Sequence, residues 1–121
     1  MSLKANVRHV GNVAVVDLAG RITLGEGSGM IRNTIKDLVT NGHKNILLNL
    51  KDVGYIDSSG LGEMIGSYAS MANAGGRIKL LNAENRVRDL LTVTKLYSVF
   101  EDYSNEAIAV ISFSGGEAAG A

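Results

Sequence analysis

The spacing of apolar and polar residues divides the first half of the chain into two strands, a helix and a further strand. Residues Leu3 to His9 alternate in polarity, a Gly11-Asn12 turn follows, and Val13 to Leu18 is strongly apolar, which predicts an opening β-hairpin. Apolar residues at helical spacing then predict a helix that ends near Asn41-Gly42. The short apolar run Asn45 to Leu50 is typical of an interior parallel strand.

The second half of the chain repeats this alternation of helix and strand. Apolar residues at helical spacing follow Asp57, and Gly75-Gly76 should end that helix. Four further elements are predicted after it: a strand over Arg77 to Leu81, a helix from about Asn85, a short strand over Phe100 to Tyr103, and a helix from Ser104-Asn105-Glu106.

Strands that alternate with helices indicate an α/β fold in which crossover helices pack on a mostly parallel sheet. We expect a single domain with a mixed sheet of about four to five strands, an N-terminal β-hairpin and about four helices. This domain should cover residues 1–113. Residues 114–121 are rich in glycine and alanine, and we expect them to form a disordered tail.

Charge and residue composition exclude several classes of function. Twelve basic residues balance twelve acidic residues, so we expect neither a nucleic acid nor a membrane as partner. The chain has no cysteine, and only His9 and His43 could supply imidazole, so we expect no metal and no cofactor. No apolar run is long enough to cross a bilayer, and no secretory signal opens the chain, which predicts a cytoplasmic protein.

Residues 57–62, Asp-Ser-Ser-Gly-Leu-Gly, lie where a strand pattern ends and a helix pattern begins. The start of a helix leaves backbone N–H groups unpaired and carries partial positive charge, so short polar side chains are favoured there and an added anion is tolerated. Because the carboxyl ends of parallel strands lie along one edge of a sheet, this corner should share that edge with the loops after Leu18 and Leu81. The segment therefore predicts an accessible hydroxyl on a protein-binding surface.

One part of the chain resembles the signature of STAS domains, the family of bacterial anti-sigma factor antagonists. This part consists of the strand Ile46 to Leu50, Val53 and residues 55–62. The resemblance extends over roughly residues 5–112. Four further features support it: the opening hairpin, Gly20-Arg21-Ile22, the strand entry Gly75-Gly76-Arg77-Ile78, and the helix Val87 to Leu96.

The resemblance implies an anti-sigma factor antagonist, which regulates sigma-factor-dependent transcription and is not itself an enzyme. Such a protein binds a kinase-type anti-sigma factor while unmodified, and it is released when that ATP-dependent partner phosphorylates one serine. By position in the motif, that serine is Ser58. An alternative function is a STAS scaffold module in a larger signalling assembly or transport system, without a kinase switch.

The residues on either side of Ser58 have structural interpretations as well. We interpret Ser59 as the N-cap of the helix, its hydroxyl accepting an N–H near Gly62, and prefer Ser58 as the phosphate acceptor. Asp57 has two compatible interpretations. It can serve as a turn or capping carboxylate, and it can also orient the serine or contact the partner.

Gly62, Gly66 and Ser70 recur at intervals of four residues and leave one stripe of the helix almost without side chains. Such a stripe either packs closely against another element of the domain or receives a partner. Because the stripe is offset from Leu61 and Ile65, which should face the core, we favour a partner helix lying against it.

A second predicted contact with the kinase follows the second strand. Sporulation-type members of the family usually carry an aspartate there, and residues 23–26, Thr-Leu-Gly-Glu, stand in its place in this chain. Thr23 and Glu26 are the candidates for that contact. The complete predicted partner surface comprises Asp57, Ser58, Ser59, Gly60, Gly62, Glu63, Gly66, Thr23 and Glu26.

Two enzymatic interpretations fit the sequence poorly. Gly25, Gly27 and Gly29, interpreted as a glycine-rich loop, lack the spacing of a nucleotide fingerprint and a following Lys-Ser/Thr pair. As a hydrolase nucleophile, Ser58 lacks the G-x-S-x-G elbow, and neither histidine has a reason to approach it. The sequence therefore favours a binding protein over an enzyme.

Overall fold

The structure, a computed structural model, describes residues 3–23, 26–83, 86–95 and 100–120. These residues form five strands and four helices. The strands are β1 (Lys4–Val10), β2 (Val13–Ile22), β3 (Asn45–Ile56), β4 (Arg77–Leu81) and β5 (Asp102–Tyr103). The helices are α1 (Glu26–Thr40), α2 (Ser58–Asn73), α3 (Arg86–Val93) and α4 (Glu106–Gly120).

The five strands form one mixed sheet in which spatial order follows sequence order. β1 and β2 pair antiparallel, and Gly11 between them has a φ of +60°, in the left-handed region that glycine adopts without strain. The strands from β2 to β5 pair in parallel. The predicted fold class, a single α/β domain with a mixed sheet and an N-terminal β-hairpin, is confirmed.

The strand β3 extends to Ile56, beyond its predicted end at Leu50. Two register shifts interrupt its pairing with β2, and each gives β3 an extra residue. Lys51 and Asp52 lie at the first of these bulges and are exposed, so the apolar pattern stops although the strand continues. The extension brings the end of β3 beside the end of β2, where the predicted site lies.

Helices cover both faces of the sheet. The helices α1, α2 and α3 pack on one face, where Ile46 and Leu48 of β3 belong to the larger core cluster. The helix α4 packs on the other face, where Ala109 and Phe113 cluster with Leu47. Consecutive residues of β3 are therefore buried on opposite faces, as expected for an interior parallel strand.

A polar cluster ties the hairpin to α4. The Arg8 guanidinium donates hydrogen bonds to Asp17 (Nε to Oδ2, 2.6 Å) and to Glu106 (Nη1 to Oε2, 2.9 Å). These bonds hold the pKa of both carboxyls below the usual range. Asn49 donates a further hydrogen bond to Asp17 (2.8 Å), so the cluster joins β1, β2, β3 and α4.

The glycine-rich segment does not form the predicted loop. The helix α1 begins at Glu26, so Gly27 and Gly29 lie in its first turn, and Gly25 lies outside the described residues. Gly27 is buried, and a Cβ added there would lie 2.8 Å from the carbonyl oxygen of Arg21. Glycine at this position therefore lets α1 approach the end of β2.

Two predicted boundaries, the start of α3 and the end of α4, are not confirmed by the structure. The predicted start of α3 near Asn85 falls outside the described residues. The helix α4 reaches Gly120 and so runs through residues that the sequence assigns to a tail. The division into a domain over 1–113 and a disordered tail over 114–121 stays a prediction. None of the helices in the described ranges has the length and apolar character needed to span a membrane.

Candidate functional site

Asp57 joins the end of β3 to the start of α2 and caps that helix. Its backbone is extended (φ −102°, ψ 173°), and its Oδ1 accepts a hydrogen bond from the Gly60 N–H (2.6 Å). Its own N–H donates to the carbonyl of Ile22 (3.2 Å), and its carbonyl accepts from the Leu61 N–H (3.0 Å). These three hydrogen bonds fix Asp57 between β2 and α2.

The N-cap of α2 is Asp57, and the prediction that Ser59 caps the helix is wrong. The helix begins at Ser58, which places Ser59 at its second position. Residues 57–59 are all of the type that favours N-caps, so the sequence does not determine which of them caps the helix. The capping interpretation of Asp57 is confirmed, and its role in orienting the serine or contacting a partner stays a prediction.

Replacing Asp57 with alanine should lower the free energy of unfolding by about 1 kcal/mol, because the Gly60 N–H loses its acceptor. Asp57→Asn should retain most of the cap, since asparagine is an equally good N-cap residue. Ser59→Ala should change the value by less than about 0.5 kcal/mol, because Ser59 is exposed. Urea denaturation measures all three variants. A larger loss in Ser59→Ala than in Asp57→Ala would contradict the capping assignment.

Gly60 is buried where α2 meets the end of β2. A Cβ added at this position would lie 2.5 Å from the Ile22 oxygen and 2.9 Å from the Ile22 carbonyl carbon. Both are backbone atoms of a paired strand, so neither moves aside easily. Gly60 is therefore needed for close packing inside the domain, and its contact with a partner stays a prediction.

Ser58 and Ser59 are exposed at the first two positions of α2. The N–H groups of a first helical turn have no carbonyl partner within their own helix and carry partial positive charge. Ser58 therefore presents its hydroxyl to solvent in a setting that tolerates an added anion.

Ser58 also lies in line with the stripe of small residues on α2. Gly62 and Gly66 follow it at intervals of four residues, so the three positions share one face of the helix. A Cβ added at either glycine would meet no atom within 4 Å. The stripe is therefore open at these two positions, and neither glycine is needed for close packing inside the domain.

The other predicted partner residues differ in their surroundings. Thr23 is half-buried and directly follows β2, at the point where that strand contacts Asp57. Glu26 is the first residue of α1, and its side chain lies outside the described part of the chain. Glu63 forms an ion pair with Arg32 of α1. Thr23 is thus beside the corner, whereas Glu63 is held against a neighbouring helix.

The sequence does not predict an apolar patch that lies next to the corner. Ile56, the last residue of β3, lines a shallow cavity of about 420 Å³ together with Asp89, Leu90 and Val93 of α3. Val93 is 78 % exposed. Helical spacing of Leu90 and Val93 is the only sequence signal, and it does not distinguish an exposed face from a core face.

The two histidines do not join the corner. The ring centroids of His9 and His43 lie 4.8 Å apart, a contact that the sequence does not predict. His9 pairs with Ala14 near the start of β2, whereas Ser58 lies near the end of that strand. Within the described ranges, no group of three or more His, Cys, Asp or Glu side chains is placed to hold a metal ion.

The fold and the corner together define a small α/β domain that presents a serine hydroxyl at the start of a helix, on an open helical face. A protein-family model described as the STAS domain matches residues 4–109. Because this match covers most of the chain, the chain belongs to the STAS domain family. The resemblance found in the sequence is confirmed.

Two curated relatives align along nearly the whole chain. The anti-sigma F factor antagonist of Paenibacillus polymyxa is 29 % identical over 111 residues, which cover 91 % of this chain and 94 % of the relative. The anti-sigma-B factor antagonist of Bacillus subtilis (strain 168) is 30 % identical over 101 residues, which cover 84 % and 91 % of the two chains. A solved structure of the Bacillus cell fate determinant SpoIIAA in the phosphorylated form has the same fold. It superposes with a TM-score of 0.69 at 23 % identity and covers 91 % of this chain and 99 % of its own.

Proposed function

We propose that this chain is a cytoplasmic anti-sigma factor antagonist that is controlled by phosphorylation of Ser58. It binds a kinase-type anti-sigma factor while Ser58 carries a free hydroxyl, and it is released when that partner phosphorylates Ser58. The observation that carries the proposal is the exposed Ser58 at the first position of α2, on an open stripe. The names of the two curated relatives support the role, and the phosphorylated SpoIIAA structure supports the modification.

The chain supplies only the nucleophile of this phosphoryl transfer. The Ser58 oxygen attacks the γ-phosphorus of ATP, the new O–P bond forms as the bond to ADP breaks, and the hydroxyl proton passes to a base of the kinase. The kinase holds the nucleotide. The chain acts as binding partner and substrate, and not as the enzyme.

The fold should survive the modification. A phosphate adds roughly 1.5 to 2 negative charges at pH 7. At the exposed first position of α2, the helix dipole favours this charge by roughly 0.3 to 1 kcal/mol. Phosphorylation should therefore act on the complex and leave the folded domain intact.

The complex should not survive the modification. A partner surface that fits a neutral hydroxyl would have to bury a phosphate beside the carboxylate of Asp57, and an unpaired buried charge costs several kcal/mol. Each 1.4 kcal/mol corresponds to about a tenfold change in affinity. The charge of one phosphate is thus sufficient to release the partner.

Replacing Gly62 with leucine should weaken binding of the anti-sigma factor at least about tenfold, because the new side chain would occupy the open stripe beside Ser58. The domain should fold at least as well as the wild type, since leucine is a better helix former than glycine and meets no atom within 4 Å at the Cβ position. Isothermal titration calorimetry with the purified anti-sigma factor measures the affinity, and urea denaturation measures the stability.

A matched control is Ala107→Leu, which adds a similar side chain to an exposed position of α4, on the other face of the sheet. Its affinity for the anti-sigma factor should equal that of the wild type. If Gly62→Leu bound the anti-sigma factor as tightly as the wild type does, the stripe would not be part of the interface. Equal capture of a partner by wild type and Ser58→Asp would favour the scaffold function instead.

A further inference from the structure

A groove between α1 and α2 encloses a volume of about 470 Å³, and Gly66 and Ser70 of the open stripe line one side of it. We call it the α1–α2 groove and define it by Arg32, Ile35, Lys36, Val39, Ser67 and Met71. Ile35 and Met71 are buried and Val39 is half-buried, so the walls are mainly apolar. Ligand sites for small molecules have volumes of roughly 300 to 1,000 Å³ and walls of this kind with a few polar groups.

Ser67 is the buried polar residue among the described residues that line the α1–α2 groove, and its hydroxyl has no hydrogen-bond partner among the described residues. Only 7 % of the residue is exposed. The other buried polar residue of the described ranges, Lys79, donates its hydrogen bonds to Ser112 (2.9 Å to Oγ). Since no described residue bonds to it, the Ser67 hydroxyl is available to bond to a ligand.

Solvent reaches this hydroxyl through the groove. Among the described side chains, every polar atom that is fully shielded from solvent has a hydrogen-bond partner. Ser67 has none, so its oxygen must be accessible, and the space that it borders is the α1–α2 groove. A ligand in the groove can therefore accept a hydrogen bond from Ser67.

The rim of the groove favours a negatively charged ligand. Arg32 and Lys36 lie one turn apart on α1. Among the described residues, Glu63 is the only carboxylate that lines the groove, and it pairs with Arg32. Lys36 is exposed and forms no ion pair within the described part of the chain. One positive charge at the rim thus remains available to an anion.

We propose that the α1–α2 groove is a binding site for a small organic anion with an apolar body, of the class of medium-chain carboxylates. The apolar body packs against Ile35, Val39 and Met71, Ser67 donates a hydrogen bond, and Lys36 pairs with the negative charge. This site goes beyond the proposed function, because it requires neither a partner protein nor phosphorylation. Its volume of about 470 Å³ fits a small molecule.

Fluorescence titration with 8-anilinonaphthalene-1-sulfonate, an apolar anion, tests the site on the isolated full-length chain. We expect saturable binding at one site and displacement by decanoate. Ser67→Ala keeps the groove open and should weaken both affinities about fivefold through the lost hydrogen bond. Lys36→Gln should weaken decanoate binding more than decanol binding, because only decanoate carries a charge.

Two glycine variants provide the control for location. Gly66 lines the groove, and Gly66→Leu should abolish binding of both probes by filling it. Gly62 lies on the same helix outside the lining, and Gly62→Leu should bind both probes as the wild type does. Circular dichroism checks that each variant is folded.

Three results would overturn the proposal. Either probe fails to bind, its binding does not saturate, or its affinity is unchanged in both Ser67→Ala and Gly66→Leu. Absence of probe binding is also the result expected if a protein segment occupies the groove. The proposed function is tested separately by Gly62→Leu and Ser58→Asp, which alter no residue of the groove. A negative result for the ligand site therefore does not affect the proposed function, and a negative result for the proposed function does not affect the ligand site.

Discussion

Replacing Ser58 with aspartate should weaken binding of the anti-sigma factor at least about a hundredfold. The aspartate places a permanent negative charge where we propose that the partner meets a neutral hydroxyl. Burying an unpaired charge costs several kcal/mol, of which about 2.7 kcal/mol already corresponds to a hundredfold change. The carboxylate of Asp57 one residue away adds like-charge repulsion. Isothermal titration calorimetry or surface plasmon resonance with the purified anti-sigma factor measures the change.

Two matched variants separate charge from position. Ser58→Ala keeps the site small and neutral, so it should bind within a few-fold of the wild type and resist phosphorylation. Ser59→Asp carries the same charge one position further along α2, about 100° around the helix, and should lose less affinity. Equal losses in Ser58→Asp and Ser59→Asp would show that the partner senses general charge and not the Ser58 hydroxyl.

The loss of affinity in Ser58→Asp should not come from unfolding. Acidic residues in the first turn of a helix are favoured by the helix dipole, and Ser58 is exposed at the first position of α2. The free energy of unfolding should therefore equal or slightly exceed that of the wild type in urea denaturation. A destabilised Ser58→Asp variant would mean that the serine has a structural role that the fold does not reveal.

Replacing Gly60 with alanine should lower the free energy of unfolding by about 2 kcal/mol, the middle of the range for overpacked sites. The added Cβ would lie 2.5 Å from the Ile22 oxygen, so β2 or α2 must shift at the place where Asp57 joins them. We also expect weaker binding of the anti-sigma factor, because the shift moves Ser58. Urea denaturation and calorimetry measure the two effects.

Gly62→Ala is the control for Gly60→Ala, because the two glycines lie on the same helix, two residues apart. The Cβ position at Gly62 is open, so alanine should stabilise the domain by up to about 1 kcal/mol through its better helix propensity. The two substitutions are chemically identical and should have effects of opposite sign. A stable Gly60→Ala variant would contradict the close approach of α2 to β2.

The sequence predicts the order of the elements because apolar spacing differs clearly between strands and helices. It predicts the hairpin and the buried part of β3, where alternation or a continuous apolar run is undisturbed. It fails at the end of β3, because Lys51 and Asp52 are exposed at a bulge and interrupt the pattern. A bulge depends on the pairing of two strands, and pairing is not visible in one segment alone.

The candidate site is predicted in outline and not in its packing. The motif predicts Ser58 as the phosphate acceptor, and this stays a prediction. Three neighbouring residues suit an N-cap, and the contact with Ile22 holds Asp57 in that position. The glycines of the motif look alike in sequence. Gly60 is buried against β2, whereas Gly62 is open. The difference depends on how closely α2 approaches β2, which the sequence does not show.

The residues of the α1–α2 groove give a weak signal in the sequence. Ser67 falls between Met64 and Met71 at helical spacing, so a polar residue occupies a position where the apolar stripe of α2 should continue. That break is visible in the sequence and has no explanation there. The groove itself depends on the distance between α1 and α2, which only the folded chain determines.

We propose above that phosphorylation of Ser58 releases the anti-sigma factor. The most direct measurement incubates the complex with ATP, follows its dissociation by size-exclusion chromatography, and locates the phosphate by mass spectrometry, with Ser58→Ala as the control. We predict one phosphate on Ser58, release of the modified chain, and an unmodified, intact complex with Ser58→Ala. A phosphate on another residue, or a chain phosphorylated on Ser58 that remains bound with unchanged affinity, would contradict the account.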